Sequence, residues 1–211
     1  MRVTEIFLSL QGESTHAGRP CVFVRFTGCD LRCAYCDTTY AFEGGRARSV
    51  EEVLEEVARF DVKFVCLTGG EPLLQRNLPD LCRRLVRAGF EVSVETHGQR
   101  PLGGLPPEVH RIVDLKTPGS GEAHQDLSVF DALGPEDEVK VVVTSEADFR
   151  WAAERVRDKR LTERVRAVLF SPAFGAVEPR DLARWLLASG LSARLQLQLH
   201  KAVWGEGTRG V

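Results

Sequence analysis

The 211-residue chain predicts an α/β protein, a parallel sheet with crossover helices, either open or closed into a barrel. Apolar, β-branched runs alternate with segments of helical periodicity along almost its whole length. Residues suited to chemistry follow the ends of those apolar runs, where parallel α/β folds build their sites. No internal repeat, low-complexity tract or long linker divides the chain, so 1–211 reads as a single domain with a sizeable core.

Strands are expected near 3–9, 21–27, 63–67, 90–95, 111–115, 138–143, 165–170 and 193–199. Between several of them lie helix signals. Ser49-Val-Glu-Glu52 is a capping box, followed by Val50, Val53, Leu54 and Val57 at helical spacing. Leu78, Leu81, Cys82, Leu85 and Val86 make a second apolar face, stopped by Gly89. Ser145 opens a third helix to about 158, and Pro179 a fourth to about 189, where Gly190 ends it.

Composition excludes several classes. With 43% hydrophobic and 27% charged residues the chain is an ordinary globular protein, and a formal net charge of −2 offers nucleic acid no electrostatic attraction. No apolar run approaches a membrane span, and the start, Met1 to Glu5, has no signal-peptide core, so a cytoplasmic protein without a membrane partner is expected. Six cysteines, three of them clustered, fit a reducing compartment with a metal site better than a disulfide scaffold. Cys21, Cys66 and Cys82 lie in apolar runs and read as core; His16, His110 and His124 lie in polar stretches and read as surface or loop.

The chemistry-bearing residues form six groups, each after an expected strand: the cysteine loop, Thr68-Gly-Gly-Glu-Pro72, Glu95-Thr96-His97, Lys116-Thr117-Pro118, Ser171-Pro172 and His200-Lys201. In the first, Cys29, Cys33 and Cys36 offer three thiols with no fourth nearby. Thiolates select zinc, Cu(I) or iron–sulfur clusters, and closed sites use four ligands. Three ligands leave a position open for something to bind and react. Tyr35 is placed to shield such a centre or contact its ligand. Two other readings of the spacing stay open: a zinc site completed by a distant histidine such as His97, and a redox dithiol.

Cys29, Cys33, Tyr35 and Cys36 together resemble the signature of the radical S-adenosylmethionine (SAM) superfamily, and Thr68-Gly69-Gly70-Glu71-Pro72 resembles its glycine motif. That resemblance implies a partial, TIM-like (β/α) barrel and a [4Fe-4S] cluster held by the three cysteines. SAM would chelate the open iron, beside Tyr35, Cys36 and Asp37, with backbone near Gly70 on its amino group. Leu10-Gln11-Gly12-Glu13, Arg25, Asp37-Thr38 and the ending from Leu199-His200-Lys201 to Arg209-Gly210-Val211 narrow the resemblance to the 7-carboxy-7-deazaguanine synthase family. This implies a carbon–nitrogen lyase that converts 6-carboxy-5,6,7,8-tetrahydropterin to 7-carboxy-7-deazaguanine with loss of ammonia, towards queuosine and other 7-deazapurines. Leu10, Gln11, Gly12, Glu13, Arg25, Thr68, Glu95, His200 and Val211 would then face the pterin. Lys116, Thr117 and Ser120 would contact SAM, although the order here differs from the Ser-Pro-Lys of some members. Thr38 would ligate Mg2+. A homodimer and an electron donor such as flavodoxin are also implied. The rival readings are a glycyl-radical-enzyme activase of similar size and a zinc-stabilised binding module without catalysis.

Overall fold

The computed structural model describes residues 1–205 and 207–210. In chain order its elements are β1 (Arg2–Leu10), β2 (Pro20–Phe26), β3 (Arg46–Ala47), α1 (Val50–Val57), β4 (Phe64–Gly69), α2 (Leu78–Arg87), β5 (Glu91–Thr96), β6 (His110–Asp114), β7 (Glu138–Val143), α3 (Glu146–Asp158), α4 (Leu161–Arg164), β8 (Ala167–Pro172), α5 (Pro179–Ser189), β9 (Arg194–Leu195) and α6 (Leu199–Trp204).

The helix ends are set by local chemistry. At α1 both capping-box bonds form: the Glu52 amide donates to Ser49 Oγ at 3.1 Å, and the Ser49 amide to Glu52 Oε2 at 2.6 Å. Ser145 Oγ caps α3 by accepting from the Asp148 amide at 3.2 Å. Pro179 opens α5, and Gly190 closes it in the left-handed conformation, φ +67°.

Nine strands form one sheet in the order β3-β1-β2-β4-β5-β6-β7-β8-β9. From β2 onward neighbours are parallel, whereas β1 runs antiparallel to β2 and β3 antiparallel to β1. The expectation of a parallel sheet therefore fails at its first edge. Apolar patterning carries no strand direction, and the loop 11–19 is too short for a parallel crossover. A second correction falls at 193–199, where Leu195, Leu197 and Leu199 alternate as a strand would. Only Arg194 and Leu195 pair, with Leu169 and Phe170, before the chain turns into α6. The sheet curls as a partial barrel, so that Glu13, just beyond β1, meets Lys140 on β7 across the interior at 2.7 Å.

Two apolar clusters cover the outer face. One packs α1 and α2 on β2, β4 and β5 through Val24, Val53, Val57, Leu67, Leu81 and Leu85; the other packs α3 and α5 on β7 and β8 through Val141, Phe149, Val156, Phe170 and Leu182. Leu73 touches both. Cys21, Cys66 and Cys82 are fully buried, as their apolar surroundings suggested. His124 is exposed and His16 lies in the loop 11–19, as surface or loop positions require, but His110 opens β6, and both His16 and His110 are buried and hydrogen-bonded to each other at 2.8 Å. Their mutual bond, with Arg19 on His16 Nδ1, partners every ring nitrogen of the pair except His110 Nε2. Among the described residues, no helix is long and apolar enough to cross a membrane.

Leu85→Ala should lower unfolding free energy by about 2–5 kcal/mol, since it empties a wholly buried site, whereas Leu187→Ala on the exposed face of α5 should change it by about 0.5 kcal/mol or less. Chemical denaturation midpoints of the two variants test the assigned core.

Candidate active site

The segment after β2 turns at Gly28, whose φ of +99° favours glycine, and delivers Cys29, Cys33 and Cys36 to one cavity of about 350 Å³. All three thiols are free and half-buried. Their loop is held from outside: the Ala34 amide donates to Ser120 O at 2.9 Å, and the Arg32 amide to Glu122 Oε1 at 2.7 Å. Burial pushes each thiol above its ordinary range.

The loop after β4 packs directly on this segment. The Glu71 amide donates to Gly28 O at 2.7 Å, and a Cβ on Gly70 would lie only 2.0 Å from the same oxygen. Only glycine fits there. Glu71 itself is wholly buried and accepts from the Leu73 amide (2.9 Å), Thr96 Oγ1 (2.8 Å) and the His97 amide (2.9 Å). Burial raises its carboxyl, against the pull of His97. His97 Nε2 faces Asp30 Oδ1 at 2.9 Å, while Nδ1 accepts from the Gln99 amide at 3.0 Å. Cys29, Asp30 and His97 thus converge, yet both ring nitrogens are engaged, which counts against His97 as the closing ligand of a zinc site.

The cavity floor is a buried charge network. Lys140 Nζ lies 2.7 Å from Glu13 Oε2 and 3.4 Å from Asp114 Oδ1, and Lys116 Nζ lies 2.6 Å from Asp114 Oδ2. Glu95 adjoins it, accepting from Gln11 Nε2 (3.2 Å) and Thr68 Oγ1 (3.3 Å). Burial raises the Glu95 carboxyl, with Glu13 and Asp114 adding to the rise and Lys140 opposing it. For Glu13 and Asp114 burial also acts upward, but the lysines outweigh it and hold both carboxyls below their usual range. The two lysines are raised in turn, since the carboxylates more than offset their burial.

The remaining walls come from α6 and the N-terminal hairpin. The Leu199 amide donates to Gly12 O at 2.9 Å, and a Cβ on Gly12 would strike His200 Nδ1 at 2.2 Å, so the two segments are in close contact. Asp37 receives Lys201 Nζ at 2.9 Å; although partial burial acts upward, that ammonium group holds the carboxyl down at about 2. The Thr38 hydroxyl donates to Asp37 Oδ1 at 2.9 Å and makes no capping bond to the turn that follows. Arg25 Nε and the Tyr40 hydroxyl share Glu5 Oε1, each at 2.8 Å.

Leu10, Gln11, Gly12, Glu13, Arg25, Cys29, Cys33, Tyr35, Cys36, Asp37, Thr38, Thr68, Gly70, Glu95, Lys116 and His200 all line this one cavity. Thr117 and Ser120 do not. The Thr117 hydroxyl donates to Val142 O and Asp148 Oδ2, and the Ser120 hydroxyl to Thr117 O, so both support the loop from behind. Val211 lies outside the described residues. Sequence reasoning missed Glu5, Tyr40, Asp114, Lys140 and Gln198. Asp114 and Lys140 carried a signal, each being a charge inside an apolar strand, where charges are rarely buried without partners.

The donor set fits an iron–sulfur cluster: three clustered thiols facing a shared cavity, with every other cysteine buried in the core. The cradle at Gly70 and the neighbouring carboxylates leave room and polar groups for a ligand at an open metal position.

The comparisons agree with this geometry. Residues 23–118 match the model of the radical SAM superfamily. The chain is 46% identical over its whole length, and over the whole of the relative, to a 7-carboxy-7-deazaguanine synthase of Koribacter versatilis, and 43% identical to one of Chlorobaculum tepidum, covering 97% of that protein. Among solved structures, QueE from Escherichia coli matches at 25% identity with a TM-score of 0.76 over 94% of each chain. Streptococcus suis SuiB, at 13% identity and a TM-score of 0.58 over 86% of this chain and 50% of its own, shares the fold. With a wall of cysteines, a glycine cradle and full-length relatives at this identity, the chain belongs to the 7-carboxy-7-deazaguanine synthase family of the radical SAM superfamily.

Proposed function

We propose that the protein is a radical SAM carbon–nitrogen lyase converting 6-carboxy-5,6,7,8-tetrahydropterin to 7-carboxy-7-deazaguanine and ammonia. The observation that carries this reading is a single cavity lined both by Cys29, Cys33 and Cys36 and by Gln11, Glu13, Arg25 and Glu95. The three cysteines hold a [4Fe-4S] cluster, and Tyr35, Asp37, Gly70 and Lys116 border the SAM site. When bound, the reduced cluster and SAM supply a radical able to take one hydrogen from substrate.

The chain's own residues bind and orient the pterin. Arg25, steadied by Glu5 and stacked near Phe7 and Tyr40, suits the substrate carboxylate. Gln11 and Glu95 offer the planar donors and acceptors that a fused pyrimidine ring requires. Burial raises the Glu95 carboxyl, which favours its protonated form beside a ring nitrogen. His200 and the segment 207–210 cover the pocket from the C-terminal side. Thr38 and Asp37 present hard oxygens, which suit Mg2+ shared with substrate. The protein works in the cytoplasm as a homodimer, reduced by a flavodoxin-like donor; exposed Leu197, Val203 and Trp204 give the dimer an apolar surface to use.

Anaerobically reconstituted protein should carry about four irons per chain. With carboxytetrahydropterin, SAM and reductant it should form carboxydeazaguanine and ammonia. A fully loaded cluster that yields neither product would refute the assignment. Cys33→Ala should lose both iron and turnover, whereas Cys82→Ala, in the core, should keep its iron and lose only stability.

Thr38→Ala should abolish most of the stimulation of turnover by Mg2+ while leaving iron content and SAM affinity intact, because hard-cation and thiolate ligation use different atoms. Undiminished stimulation in the variant would leave Thr38 no part in metal binding.

A further inference from the structure

The loop 11–19 has two faces, and the proposed function uses only one. Gln11, Gly12 and Glu13 line the cavity. Ser14 then takes a left-handed conformation, φ +64°, strained for a serine, and the loop residues after it no longer line the cavity. Beyond it, Thr15, His16 and Arg19 bind the first residues of β5, β6 and β7.

These contacts form a directed chain. Arg19 Nη1 and Nη2 donate to the two oxygens of Glu91 at 2.8 and 2.6 Å, and Nη1 also lies 2.5 Å from His16 Nδ1. A guanidinium can only donate, so His16 Nδ1 must accept and Nε2 must carry the proton. His16 Nε2 then donates to His110 Nδ1 at 2.8 Å. This leaves the His110 proton on Nε2, 3.3 Å from Glu138 Oε1 though off the line of a hydrogen bond. Glu138, wholly buried, also accepts from the Thr15 amide at 3.2 and 3.1 Å and from its hydroxyl. The groups facing the histidine pair are Arg19 from the loop, the Phe64 ring from β4, Glu91 from β5 and Glu138 from β7.

We propose that His16 and His110, with Glu138, are positioning residues: they latch the back of the 11–19 loop to the strand ends and so present Gln11 and Glu13 to the substrate. The hydrogen-bond directions require His16 Nδ1 to stay an acceptor: a second proton on this ring would point Nδ1–H at the Arg19 guanidinium. Burial, His110 and Arg19 depress the His16 pKa, so the folded loop resists this proton. For a depressed histidine the folded state binds fewer protons than the unfolded, so the latch contributes fully above the ordinary value of about 6.5 and is lost as pH falls through the lower value of the folded ring.

The substrate half of this inference rests on the proposed function, so the test reads the loop and the substrate separately. Hydrogen exchange of residues 11–19, without substrate, should rise about tenfold in His110→Phe, the factor expected from losing one buried hydrogen bond. Thr15→Val, a milder change, should shift exchange in the same direction. His110→Asn, whose amide oxygen can replace Nδ1 as acceptor, should restore most of the protection. In turnover, His110→Phe should raise the KM for the pterin with kcat and SAM affinity little changed. Wild-type KM should climb as pH falls through the lowered His16 value, beneath about 6.5, a limb absent from His16→Gln/His110→Asn. Unchanged loop exchange in both His110→Phe and Thr15→Val, or faster exchange spread evenly over the sheet, would overturn the latch. Faster exchange confined to the loop with KM unchanged would uphold the latch and refute the assignment of Gln11 and Glu13 to the substrate.

Discussion

The ammonium group of Lys140 organises the cavity floor, because it is largely withdrawn from water there, its side chain 13% exposed, and needs partners. An isolated charge in a protein interior carries a prohibitive desolvation cost, and breaking a buried pair costs about 3–5 kcal/mol. Lys140 therefore needs carboxylates, and it draws them from segments about a hundred residues apart in the chain: Glu13 from the loop after β1, Asp114 from β6. Asp114 brings Lys116 with it, and Glu95 sits close enough for its proton affinity to respond to the others. The curl of the sheet brings these groups within reach, and their pairing sets the polarity of the cavity floor. A neutral β7 would leave Glu13 without its cation and the N-terminal loop without its inner anchor.

A second constraint works at the rim. Gly70 meets the carbonyl of Gly28 at a distance that excludes any side chain, so the cysteine loop and the glycine loop form one packed unit. Glu71 extends that unit to β5 through Thr96 and His97. Three segments far apart in sequence are held together by the protein's own hydrogen bonds. Such preorganisation suits a reaction in which a radical must meet one substrate hydrogen and no other.

Much of this was legible in the sequence, for reasons that differ by residue. Helix ends were readable because capping is local: Ser49 with Glu52, Ser145, and Gly190 signal within a few positions. The cysteine spacing was readable because thiol chemistry admits few uses. The direction of β1 was hidden, since alternating apolar residues look alike in either orientation, yet the short 11–19 connection held the clue. Leu195 to Leu199 misled because their alternation suits a strand while only two residues find a partner. The burial of His16 and His110 was hidden because their partners lie on other elements, which one sequence does not bring together. Lys140 and Asp114 were overlooked for the same reason, although charges within Val139 to Val143 and Ile112 to Leu115 should have prompted a search for counter-ions.

If the cavity lined by Cys29, Cys33, Cys36, Gln11 and Glu95 took up cluster, SAM and pterin together, SAM would act as a catalytic cofactor and regain the hydrogen taken from substrate. Turnover of pterin deuterated at C6, followed by mass spectrometry of recovered SAM, tests it directly. Deuterium should appear in intact SAM, with many products formed per SAM present. Consumption of one SAM per product, with the label confined to 5′-deoxyadenosine, would contradict it.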